Sequence, residues 1–308
     1  MLHSHIVDAH CDTLSKGQEI IVNNCHLDFQ RMRQAGVSVQ FFAVFVSPAH
    51  RGQELERALE QIDLFYSEIE KTPYIEVGLD YLQIVKCLQF GLQIGILSVE
   101  GGEILKGSLS VLRMLYRLGV RSLTITWNNR NLLADGVGEK NSKGGLTDFG
   151  VAVVKEMNKL GMLIDVSHLS ERGFWDVLEL STQPVIASHS NAREVCNHPR
   201  NLSNEQIIAL ASKGGVMGLT FVPDFVDPAN PGIMRLLDHV DYVAALVGVD
   251  CLGLGSDFDG VNKTIDGLED VSKLPALYYG LKNRGYCEKD VENILGGNFL
   301  RVMKHVLK

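Results

Sequence analysis

Apolar residues fall into eight short runs separated by longer amphipathic stretches. The runs are Ile6–Ala9, Val37–Val46, Ile94–Val99, Ser122–Thr126, Met162–Val166, Val185–Ala187, Val216–Val222 and Leu252–Leu254. They are rich in β-branched residues, the pattern of parallel strands buried on both faces. Between them the period becomes helical. From Glu54 to Lys71, Leu55, Leu59, Ile62, Phe65, Tyr66 and Ile69 step by three or four and share a face, while Glu56, Glu60, Asp63 and Glu70 form its solvated side. Ser203-Asn204-Glu205-Gln206 has capping-box spacing and opens a helix that Gly214 can close. Asp148 to Leu160 ends at Gly161 in the same way. Eight strands alternating with helices predict an α/β fold, a (β/α)8 TIM-like barrel. An open doubly wound sheet is the main competitor. Its nucleotide-binding version is weakened by the lack of a G-x-G-x-x-G after the first strand and of a phosphate-binding P-loop.

The chain has 308 residues, which at about 150 residues per domain points toward two domains. No linker, internal repeat or low-complexity stretch divides it, so one domain over residues 1–308 is the better reading. With 45% hydrophobic and 21% charged residues the chain is not a disordered one. Thirty-seven acidic against 29 basic residues give a net charge of −8, and no basic stripe offsets it, so nucleic acid is not an expected partner. No apolar run is long enough to span a bilayer, and Met1 to Val7 lacks the basic region and apolar core of a signal peptide. The expected location is the cytoplasm, off the membrane. Six scattered cysteines without a C-x-x-C pair read there as buried thiols.

The chemistry-bearing residues sit where the predicted strands end, the face that carries active sites in such barrels. In Asp8-Ala9-His10-Cys11-Asp12, strand alternation puts His10 and Asp12 on one side and Cys11 on the other. They are either two ligands for a divalent metal or a structural pair. Glu100 ends a nearly apolar run, as a turn residue or an inward ligand. His168, in Asp165-Val166-Ser167-His168, and His189, in Ala187-Ser188-His189-Ser190-Asn191, stand at the exits of adjacent strands. Together the five groups exceed what one tetrahedral zinc uses and suit two metals bridged by a carboxylate. In Gly253-Leu254-Gly255-Ser256-Asp257-Phe258-Asp259-Gly260 the glycines would let Asp257 approach a ligand closely, as a proton shuttle or as the cap of a turn. His3, His5, His26, His50, His198, His239 and His305 lack such a context and read as surface or structural residues.

Taken in order, the motifs resemble the membrane (renal) dipeptidase family of zinc peptidases. The match covers nearly the whole chain: Asp8 to Asp12, Val99-Glu100-Gly101-Gly102, Ser167-His168, Ser188 to Arg193 with Arg200-Asn201, and Gly255 to Gly260. The resemblance implies a barrel with two zinc ions per chain that cleaves dipeptides. His10 and Asp12 would hold one ion, His168 and His189 the other, and Glu100 both. Arg200 would grip the substrate carboxylate. Asp257 would face the substrate amine and, with Glu100, serve catalysis. Asp8 could orient a ligand from behind or cap a turn. One departure is Ile125, which stands where mammalian members have a substrate-binding histidine. Activity would proceed by attack of a metal-activated water, without a serine or cysteine nucleophile. The rivals are an amidohydrolase of the same fold acting on N-acylated amino acids or cyclic amides, and a non-catalytic metal-binding homologue. A homodimer is left open.

Overall fold

The computed structural model describes residues 5–308. Its strands are β1 (Ile6–Cys11), β2 (Val37–Phe45), β3 (Ile75–Val77), β4 (Gln93–Glu100), β5 (Val120–Thr124), β6 (Leu163–Asp165), β7 (Ile186–Ala187), β8 (Val216–Leu219) and β9 (Leu252–Leu254). All pair in parallel. β1 joins β2 on one side and β9 on the other, β2 joins β4, and β4 to β9 follow in order, closing an eight-stranded (β/α)8 barrel. Every predicted strand is present, although β5 stops at Thr124 and β8 at Leu219, short of the predicted Thr126 and Val222. β3 was not predicted. It pairs with residues 93–95 of β4, on the edge that β5 occupies further along.

The interior explains which end is left free for chemistry. Val7, Ala9, Val39, Phe41, Ile94, Ile96, Leu163, Ile186 and Val216 form one buried cluster with Phe299, Val302, Met303 and Val306 of the helix Asn298–Val306. These strand residues lie toward the amino ends, so the C-terminal helix plugs that mouth. The Phe299 ring fits because Gly253 has no side chain; a Cβ there would lie 2.3 Å from it. The second, larger cluster fills the space between barrel and outer helices.

The helices behave as their patterns predict. Glu54–Glu70 keeps Glu56, Glu60, Asp63 and Glu70 in water and buries Ile62, Phe65 and Ile69. Leu59 departs from the apolar face and is 43% exposed. Asp148–Leu160 ends on Gly161 at φ 76°. Ser203 and Gln206 form the reciprocal capping box of Asn204–Ser212, which stops just before Gly214. Cys11, Cys196 and Cys251 are buried as expected, whereas Cys25 and Cys87 are half-buried and Cys287 is exposed. No helix among the described residues is long and apolar enough to cross a membrane.

Candidate metal centre and active site

At the carboxyl mouth, simple alternation carries β4 from inward Ile94 and Ile96 to inward Glu100. On β1 alternation alone would fail. Val7 and Ala9 face inward, and an unbroken strand would next point Cys11 inward. Instead Asp8 pairs with Gln40 and Cys11 with Phe42, so β1 gains one residue over β2. This bulge turns Cys11 into the outer core and sends His10 and Asp12 to the mouth. His168 and Asp257 arrive on left-handed backbone, at φ 66° and 64°. Such conformations are uncommon for non-glycine residues and gather at functional sites.

The five predicted ligands converge. Glu100 Oε2 lies 3.7 Å from His10 Nε2, which is 3.3 Å from Asp12 Oδ2. Glu100 Oε1 lies 3.0 Å from His168 Nε2 and 3.6 Å from His189 Nε2. One carboxylate thus divides its two oxygens between the two groups. All five side chains are buried, and His10 Nδ1 and Asp12 Oδ1 have no hydrogen-bond partner.

What stands behind the histidines fixes what they offer. Asp165, fully buried, accepts Ser167 N–H and Ser188 N–H at Oδ1 and the hydroxyls of Thr124 and Ser188 at Oδ2. With the Ser188 hydrogen committed to Asp165, His189 Nδ1–H donates to Ser188 Oγ at 2.7 Å. His168 Nδ1–H donates to Asn128 Oδ1 at 2.8 Å. Both imidazoles therefore turn Nε2 lone pairs inward, 2.7 Å apart and beside Glu100. Burial holds both well below the usual histidine range, so protonation does not relieve them. Two imidazoles, each oriented by an outer hydrogen bond and closing with Glu100 on one point, are chemistry that a divalent metal satisfies. Asn128 and the Asp165–Ser188 pair were not picked out from sequence, because they act across 23 to 40 residues of chain.

Burial alone would lower His10, yet Glu100, Asp12 and Asp257 around it raise it to about 10. Burial, with Asp12 and Asp257, also drives Glu100 well above the carboxylate range. Asp257 remains partly accessible, and burial together with Asp12 pushes it up to about 6. Of the glycines around it only Gly260 makes room: a Cβ there would lie 2.1 Å from Asp257 Oδ1 and 2.4 Å from Asp12 Oδ2. Gly255 instead lets the backbone pass Ser188 O. Asp8 neither orients a ligand side chain nor caps a turn within its own segment. It accepts Ser256 N–H and Oγ–H, both at 2.7 Å, and so anchors the loop that carries Asp257.

Arg200 is buried, 5% exposed, and lies over the Phe225 ring. Its Nη2 donates to His189 O at 3.0 Å and its Nε has no partner. Burial lowers it to about 10, which leaves it a cation at neutral pH. The excursion that bears it is pinned by Asn191, whose amide donates to Thr220 O, and by Asn201, whose amide donates to Cys196 O. His198, read as structural, accepts Arg200 N–H. Ile125 is fully buried and brings no donor to the mouth, while Trp127 and Phe45 meet at a tilt and form an aromatic wall near His168. His3 lies outside the described residues.

His239 is structural too. Its Nδ1 accepts Ala192 N–H and its Nε2–H donates to Val226 O, an arrangement open only to the neutral ring. Burial lowers it to about 4. Between roughly pH 6.5 and 4 the unfolded chain binds a proton that the folded chain refuses, so stability falls as pH drops through this window, by up to about 3 kcal/mol. Urea unfolding of wild type and His239→Asn at pH 7 and pH 5 measures it. The loss on acidification should be smaller in the variant; equal losses would exclude His239 as a source.

A family model described as Membrane dipeptidase (Peptidase family M19) matches residues 1–308. Dipeptidase verJ of Clonostachys rogersoniana is 35% identical over 298 residues, 92% of this chain and 77% of that protein. Dipeptidase 3 of Homo sapiens is 38% identical over 291 residues, 90% of this chain, which spans only 58% of that longer protein. Among solved structures, a metallo peptidase from Rhodobacter sphaeroides, liganded with a phosphinate mimic of the dipeptide L-Ala-D-Ala, superposes with a TM-score of 0.91 at 30% identity, covering 98% of this chain and 99% of that one.

Proposed function

The chain belongs to the membrane dipeptidase family and is a metallo-dipeptidase, and from that premise we propose that it hydrolyses dipeptides with free amino and carboxyl termini, using two zinc ions. The observation that carries this reading is the division of the Glu100 oxygens between His10 on one side and His168 with His189 on the other. His10 and Asp12 would hold one ion, His168 and His189 the second, and Glu100 both. When bound, the ions supply a water acidic enough to react at neutral pH and positive charge for the developing oxyanion.

The chain's own residues do the rest. Asp257, as carboxylate, accepts the water's proton at an Oδ atom and returns it to the leaving nitrogen. It lies beside His10 and Asp12 and is partly accessible, as a group that meets both water and substrate must be. Arg200 receives the substrate's C-terminal carboxylate through paired N–H donors. Its unpartnered Nε and the lack of a carboxylate partner among the described residues support that role. The phosphinate complex of the Rhodobacter sphaeroides relative supports tolerance of a D-residue at the second position. The unpaired thiols support the cytoplasm as working compartment.

Protein purified without chelator should carry about two zinc ions per chain by elemental analysis. It should cleave L-Ala-L-Ala and L-Ala-D-Ala but act poorly on the dipeptide amide and on tri-alanine. Arg200→Ala should lose about 10- to 150-fold of the acid-over-amide preference, the worth of a charge-assisted hydrogen bond. One ion saturating both activity and stability would overturn the two-metal reading. Equal cleavage of dipeptide, amide and tripeptide would overturn the carboxylate anchor.

A further inference from the structure

Past His168 and Arg200 the mouth opens sideways into a cavity of about 740 Å³. Three excursions build it, over residues 136–144, 166–175 and 190–206. It shares His168 and Arg200 with the acceptor cluster, and His10, Asp12 and Asp257 are not on its wall. If Arg200 takes the substrate's C-terminal carboxylate, the cavity lies on the C-terminal side of the scissile bond.

The wall carries a charge pattern opposite to that of the molecule. The chain is net −8, yet Lys140, Lys143, Arg172, Arg193 and Arg200 face only Glu139 and Glu171. Arg172 is engaged by Asp176 at 2.9 Å. No carboxylate pairs with Lys140, Lys143 or Arg193 among the described residues. Arg193 is half-buried and uses Nε on Asn201 O, so its terminal nitrogens remain uncommitted. Ser190 Oγ, a buried polar atom on the wall that the main-chain carboxylate does not claim, also lacks a partner. A concave site with a net excess of one sign focuses potential and draws the opposite charge. An uncharged side chain would leave these donors and cations as they are, whereas a carboxylate would satisfy them.

We propose that this cavity is the subsite for the side chain of the C-terminal residue and that it selects dipeptides ending in an anionic residue, aspartate or glutamate. The proposal rests on the dipeptidase reading and deepens it. The recognition residues are Arg193, Lys140 and Lys143, placed beyond the Arg200 that anchors the main-chain carboxylate.

The test compares isosteric pairs on metal-loaded enzyme: L-Ala-L-Asp against L-Ala-L-Asn, and L-Ala-L-Glu against L-Ala-L-Gln, with L-Ala-L-Lys as the opposite charge. The acid should exceed its amide in kcat/KM by about tenfold or more, as a charge-assisted hydrogen bond brings, and the lysine dipeptide should be poorest. The ratio should shrink as added salt shortens the Debye length from about 10 to 3 Å. It should fall toward one in Arg193→Gln or in the Lys140→Gln, Lys143→Gln double variant. The free amino acids, titrated by calorimetry, should bind in the same order, aspartate above asparagine. Efficient cleavage of all five peptides without an acid preference would overturn the subsite and leave the dipeptidase reading intact. A ratio unchanged in both variants would do the same. Failure to cleave any of them would overturn the reading beneath it.

Discussion

Glu100→Ala should lose more metal than any other single change at the mouth, and with it nearly all dipeptide cleavage. The other candidate ligands belong to one side of the cluster: His10 with Asp12, or His168 with His189. Glu100 alone reaches His10 through one oxygen and both distal histidines through the other. Loss of an outer partner of a ligand costs about 10- to 100-fold in metal affinity; loss of a shared ligand should exceed that at both positions. The metal-free protein should nevertheless stay folded. Glu100 is buried beside Asp12 and Asp257, and these neighbours already disfavour its charge. Its removal relieves that strain while leaving the apolar barrel interior below untouched. Thermal unfolding with and without zinc separates the two effects, because a ligand that binds only the native state raises stability by about 2.7 kcal/mol at one hundred times its dissociation constant. Wild type should gain from zinc and Glu100→Ala should not. A variant that kept both ions and its rate would refute the bridging assignment.

Asp257→Asn should keep its metal and lose about 10²- to 10⁴-fold in kcat, the usual worth of a general acid–base group. The choice of asparagine follows from the backbone. Asp257 sits at φ 64°, where asparagine is tolerated almost as readily as aspartate and alanine is not. The amide also keeps the shape that Gly260 accommodates but cannot take up a proton from water. Asp257 lies close enough to His10 and Asp12 to act as a ligand itself. Elemental analysis decides between the two roles: a lost ligand lowers metal content, whereas a lost base lowers only turnover. Wild-type kcat in a fully metallated variant would remove Asp257 from the mechanism.

Much of this was open to reading from the sequence, for physical reasons. A parallel barrel buries both faces of its strands, so each strand is a compact apolar run bounded by polar residues, and all eight barrel strands could be found. β3 could not. Ile75-Glu76-Val77 is too short and too polar to stand out, and it is a strand only because β4 offers a free edge there. Ligand-type side chains at strand ends were equally visible, and His10, Asp12, Glu100, His168, His189, Arg200 and Asp257 do meet at one mouth. The groups that orient them were not, since Asp165 serves Thr124 and Ser188 across gaps of 41 and 23 residues, and no local pattern marks such a pairing.

The cavity beyond Arg200 belongs to the same class. Its cations come from three separate excursions, and an overall excess of acid hides them. By itself the sequence determined the barrel, the end that carries chemistry, and that His10 and Asp12 share one side of β1. Which side that is, tertiary structure decided. The one-residue bulge of β1 against β2 inverts the alternation between Ala9 and His10. Register between strands is set by both partners at once, and neither strand's sequence holds it alone.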